Sequence, residues 1–72
     1  MIEIRIVGNV TSDQRSFTNT IAIDDWTQAD IVEAIGECGL TGKVTFSHFG
    51  NDYCIADVRG DVSIVRCVIV WM

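Results

Sequence analysis

Proline is absent from this chain of 72 residues, and histidine occurs once, at position 48. The first absence rules out a Pro-rich linker or recognition segment. The second leaves acid–base and metal chemistry short of partners. Positive charge is scarce as well: five basic residues face ten acidic ones, for a formal charge of −5. A net negative surface repels DNA, RNA and anionic membrane, so direct binding to any of them is not expected. No apolar run approaches the roughly 20 residues of a membrane span. The opening stretch, Met1 to Val7, alternates charged and apolar residues and cannot act as a secretory apolar segment. Cys38, Cys54 and Cys67 make an odd number with no close pair, which points to reduced thiols and a cytoplasmic setting.

What is present is a dense set of short apolar patterns, 49% hydrophobic in composition, in a length that accommodates one domain over residues 1–72. Ile2, Ile4 and Ile6 alternate with Glu3 and Arg5 as a half-buried strand does. Gly8-Asn9 and the polar run from Thr11 to Ser16 read as a turn or loop. Phe17 to Ile23 reads as a second strand with Phe17, Ile21 and Ile23 on one face, although Asn19 interrupts it.

The segment Asp24 to Gly39 carries the fullest helix signature. Thr27 is a suitable N-cap, Asp30 three residues later makes an approximate capping box, and Trp26 and Ile31 have the spacing of a hydrophobic staple. Ile31, Ile35 and Cys38 form the apolar stripe. Gly39 suits the left-handed position past the end, with Leu40 to close it. Val44 and Phe46 alternate in a third strand, Gly50-Asn51-Asp52 signals a hairpin, and Tyr53 to Val58 forms a fourth strand. Val62 to Trp71 is apolar on both faces, which predicts a central or interfacial strand whose loss the fold should not tolerate. The expected fold is α+β, in the order β-β-α-β-β-β, with one helix packed on one face of a mostly antiparallel sheet.

No constellation of catalytic residues emerges. Whether His48 can approach Cys54 depends on the hairpin register: a two- or four-residue loop pairs His48 with Tyr53, whereas a three-residue loop pairs it with Cys54, with no third group to orient the imidazole. Three Cys and one His match a tetrahedral zinc site in number, but they lie on four elements without a C-x-x-C pair. Neither metal nor cofactor is expected. Asp24-Asp25 is explained by its place before a helix N-terminus. Arg59-Gly60-Asp61 spells an adhesive tripeptide and equally an ordinary turn.

The feature that remains is charge of one sign. Asp24, Asp25, Asp30, Glu33 and Glu37 fall in the helical segment, and no Lys or Arg lies between Arg15 and Lys43. Asp30, Glu33 and Glu37 stand at i, i+3 and i+7 and form one stripe. The expectation is therefore a non-enzymatic protein-binding module that offers these five carboxylates to a basic surface of another protein. In size, charge and lack of proline the chain looks like the accessory proteins of phages and mobile elements, including anti-CRISPR and other DNA-mimic inhibitors; the analogy rests on no shared motif. The alternative is a structural, self-assembling domain that forms a homodimer through its last strand. Tyr53 and Trp71, on the sheet side left bare by a single helix, form the expected second interface.

Overall fold

A computed structural model of the chain describes residues 1–61 and 63–72. Five strands and one helix follow the expected order: β1 (Ile2–Val10), β2 (Arg15–Ile23), α1 (Gln28–Glu37), β3 (Lys43–Phe49), β4 (Tyr53–Arg59) and β5 (Ile64–Trp71). All four strand pairings are antiparallel, and the sheet order is β2-β1-β5-β4-β3. Val62, the expected first residue of the last strand, lies outside the described residues.

This order explains why one helix suffices for one face. The chain leaves β2 at one edge and must reach β3 at the other, about 19 Å away across four strand spacings. The ten residues of α1 rise about 15 Å, so the helix and its flanking loops bridge the sheet. Ile31, Ala34 and Ile35 are thereby set on Ile4, Ile6, Ile23, Cys54, Ala56, Cys67 and Ile69. The isoleucines at 4, 6, 31, 35 and 69 are fully buried, and each burial contributes roughly 1.5–3 kcal/mol before entropy is counted.

The helix ends are built as their residues predict. Thr27 Oγ1 accepts the Asp30 N–H at 3.2 Å, while Gly39 stands at φ 85° beyond the Cys38 cap and donates to Gly36 O at 3.0 Å. Leu40 packs back on the core. Trp26 does more than a local staple requires. Its indole N–H donates to Gly50 O at 2.8 Å, and its ring lies 5.6 Å from Phe49 and 5.7 Å from Trp71, so it ties the start of the helix to the β3–β4 hairpin.

Gly8 and Asn9 are not a turn. They continue β1, which runs unbroken to Val10, and the reversal is made by Thr11 to Gln14 instead. The reason lies across the ladder: Gly8 faces Phe17, and a Cβ on Gly8 would stand 2.3 Å from that ring. The glycine makes room for an aromatic side chain, a role that resembles a turn signal when read along the chain alone.

At the other edge, β3 carries a bulge. Phe46 pairs with Ala56 but His48 with Ile55, so Ser47 is the extra residue. The shift brings Phe49 onto the helix side with Val44 and Phe46, opposite Cys54, where Phe46 and Phe49 meet edge to face at 5.7 Å.

Candidate functional site

Four of the five acidic residues expected to bind a partner gather along one flank of the molecule, and Asp25 is not among them. Asp24 follows the end of β2, and Asp30, Glu33 and Glu37 lie on α1; together they line a groove of about 420 Å3. Ala34 and Gly36 contribute from the helix, Ala22 and Ile23 from β2. Successive strand residues point to opposite faces, so a groove touching both Ala22 and Ile23 follows the outer edge of β2. That edge is unpaired in the sheet order.

The two edges of the sheet differ. β3 is seven residues long, is interrupted by a bulge and starts with Lys43, whereas β2 pairs with β1 over nine residues without a shift, contains neither Pro nor Lys, and carries its one charge, Arg15, at the end far from the groove. Bulges and lysines are the usual protection against an added strand. The β2 edge next to the carboxylates lacks both.

The five carboxylates are not equivalent. Asp30 Oδ2 accepts the Asp25 N–H at 2.9 Å, two residues further back than a capping box reaches. Its charge therefore helps hold the Asp25–Thr27 turn in place, and Asp30 is only half exposed. Asp24, Asp25, Glu33 and Glu37 are exposed. Among the described residues none of these carboxylates is paired with a basic side chain; the two ion pairs are Arg15–Asp13 at 3.5 Å and Arg66–Asp57 at 3.0 Å.

Gly36 stands out within the groove. A helix interior disfavours glycine by up to about 1 kcal/mol relative to alanine. Packing does not require it here, since a Cβ at position 36 would meet nothing within 4 Å. It leaves the helix wall of the groove low.

The positive charge lies elsewhere. By ladder register Arg5, Lys43, Arg59 and Arg66 share the face of the sheet turned away from the helix, together with Glu3 and Asp57. This separation could be read from strand parity, because each of the four alternates with the core-packed positions of its strand: Ile4 and Ile6, Val44 and Phe46, Ala56 and Val58, Val65 and Cys67. Net charge alone concealed it.

Tyr53 and Trp71 do not form one surface. Tyr53 pairs with Val70 on the open face, whereas Trp71 pairs with Ile4 on the covered face and packs on Trp26. His48 stacks on Tyr53 with ring centres 4.5 Å apart, while Cys54 lies on the helix side of β4 and is fully buried. The imidazole and the thiol are thus on opposite sides of the sheet.

Cys54 and Cys67 are diagonal neighbours beneath the helix, and Cys38 closes the helix above them. Burial, with a smaller effect from Cys67, pushes the Cys54 thiol up to about 11; burial, then Cys38 and Asp57, pushes Cys67 up to about 11. At neutral pH both are neutral thiols that pack as small apolar groups. Among the described residues no group of three His, Cys, Asp or Glu side chains is placed to hold a metal ion, and no helix is long and apolar enough to cross a membrane.

Compared with known proteins, the chain matches no family model, no curated protein and no solved structure.

Proposed function

We propose that the protein is a small non-enzymatic binding module whose acidic groove, between α1 and the β2 edge, receives a basic surface of another protein. The observation that carries the reading is the separation of charge: Asp24, Asp25, Glu33 and Glu37 are unpaired among the described residues, and four of the five basic side chains lie on the far side of the sheet. Unpaired carboxylates on the helix and in the turn before it keep their attraction for Lys and Arg, which steers encounter and excludes anionic competitors. The unprotected β2 edge and the low wall at Gly36 favour a basic segment that lies along the groove.

In its most concrete form the module is an inhibitor of the anti-CRISPR or DNA-mimic kind, carried by a phage or mobile element, in which carboxylates stand in for phosphates on a nucleic-acid-binding protein. Size and charge are what support that origin. The module works in the cytoplasm, without metal or cofactor, and binds no nucleic acid directly.

The test is titration of a fluorescent oligo-arginine peptide with the full chain, followed by anisotropy at low and high salt. Binding should weaken steeply as salt rises, since exposed charges are screened over about 8–10 Å. Glu33→Lys with Glu37→Lys should weaken it at least tenfold while circular dichroism stays unchanged. Asp30 is left intact because its carboxylate holds the Asp25 N–H. A folded double variant that binds as tightly as the parent would reduce the groove to a solvated flank.

A further inference from the structure

We propose that a cavity on the open sheet face, between β3, β4 and β5, binds the phosphate group of a small monoester between Lys43 and Arg59. It lies toward the opposite edge of the sheet from the acidic groove and owes nothing to it.

The strand register builds the site. Lys43 pairs with Arg59 across β3 and β4, Arg59 pairs with Ile64 on β5, and Thr45 pairs with Asp57 in the next row of the same face. These five residues line a cavity of about 300 Å3. Ligand clefts run from roughly 300 to 1,000 Å3, so this one suits a small molecule. Gly42 sets the two cations side by side. It stands at φ 140°, and a Cβ there would lie 2.3 Å from Arg59 O. Only glycine lets the start of β3 approach β4 so closely.

A cation pair in this position opposes folding. Like charges directly opposite in a ladder destabilise it, with Cβ atoms only about 4.5–5.5 Å apart. Among the described residues neither Lys43 nor Arg59 forms an ion pair. The one carboxylate in the cavity, Asp57, is engaged by Arg66, whose Nε–H donates to Oδ1 at 3.0 Å. With Asp57 neutralised, the charges of Lys43 and Arg59 stand uncompensated. Asp61 borders a neighbouring hollow with Arg59 but pairs with neither cation. An edge lysine alone guards against an added strand, yet that purpose does not call for an arginine facing it.

The chemistry selects the anion. A phosphate monoester carries about 1.5 to 2 negative charges at neutral pH and three acceptor oxygens. Arg59 can engage two of these through its planar fork, and Lys43 approaches as a point charge. The hydroxyl of exposed Thr45, diagonal to Arg59, can donate to the third. A carboxylate would offer a single charge to two cations. Ile64, half-buried on β5, gives the ester substituent an apolar wall.

The test is nuclear magnetic resonance titration of the isotope-labelled full chain with phenyl phosphate at constant ionic strength. The amides of Lys43, Thr45, Arg59 and Ile64 should shift together and saturate with a dissociation constant of about 1 mM or below. Inorganic phosphate should act on the same amides more weakly, for want of contact with Ile64. Benzenesulfonate, with the same ring and a single charge, should bind at least tenfold more weakly. Lys43→Gln should weaken phenyl phosphate at least tenfold, while the melting temperature of the ligand-free chain holds or rises because the like-charge pair is gone. Should that variant misfold, Arg59→Gln should give the same loss of binding. Glu33→Lys with Glu37→Lys should leave binding intact, which separates this site from the groove. No saturation below about 10 mM overturns the inference. So does a folded Lys43→Gln that binds like the parent, or benzenesulfonate bound as tightly as phenyl phosphate. Inorganic phosphate bound as tightly as phenyl phosphate overturns the assignment to a monoester.

Discussion

At the scale of single residues, the thiols of Cys54 and Cys67 link packing to pH. Their pKa values rise from an ordinary 9.0 to about 11 chiefly because the covered face of the sheet excludes water from them. The folded protein therefore holds these protons more firmly than the unfolded chain does. That stabilisation is fully present below pH 9 and is lost as pH rises toward 11, once unfolded thiols ionise and folded ones do not. Thermal melting should accordingly show a midpoint that declines between pH 9 and about 11, and the decline should be shallower in Cys67→Ala. An equally steep decline in that variant would place the alkaline sensitivity in other groups. Asp30 is a second residue whose part differs from its position in a stripe: it spends its carboxylate on Asp25, so charge reversal there would confound binding with folding.

At the scale of elements, α1 is nearly all that its residues announce, except at Gly36. Because the space beside Gly36 is empty, Gly36→Ala should stabilise the domain by about 0.5–1 kcal/mol through helix propensity alone. Chemical denaturation would read this directly. A destabilised Gly36→Ala would mean that the groove wall is closer than it stands here and that the glycine is required for packing. The first hairpin teaches a related lesson. Gly8 is kept within β1 by the Phe17 ring opposite it, and that long-range reason overrides a local turn signal.

At the scale of the whole molecule, the pairing of β1 with β5 joins the two ends of the chain, and β5 holds the β1–β2 hairpin to the β3–β4 hairpin. A chain ending at Ser63 would retain two separate hairpins, each at best marginal in water. It should lose cooperative melting and the near-ultraviolet signal of the packed Trp26–Phe49–Phe46 cluster; a cooperatively folded truncation would contradict the central place of β5. Such end-to-end pairing also predicts slow folding for a domain this small, because contacts distant in sequence must close before the sheet is complete.

The local sequence determined the element order, the two helix caps, the apolar stripe of α1 and the central place of the last strand, since caps, periodicity and two-sided apolar patterns act over a few residues and survive in any tertiary setting. Tertiary structure decided the rest. Cys38, Cys54 and Cys67, scattered along the chain, meet beneath the helix because β4 and β5 are neighbours and the helix ends above them. Tyr53 and Trp71, which looked like one surface, separate to opposite faces because side-chain direction follows strand parity within a particular ladder. The bulge at Ser47 turned Phe49 inward and left His48 stacked on Tyr53. The acidic residues themselves were legible, but the groove they line was not, for a groove is a relation between a helix and a strand edge that only strand order can place side by side.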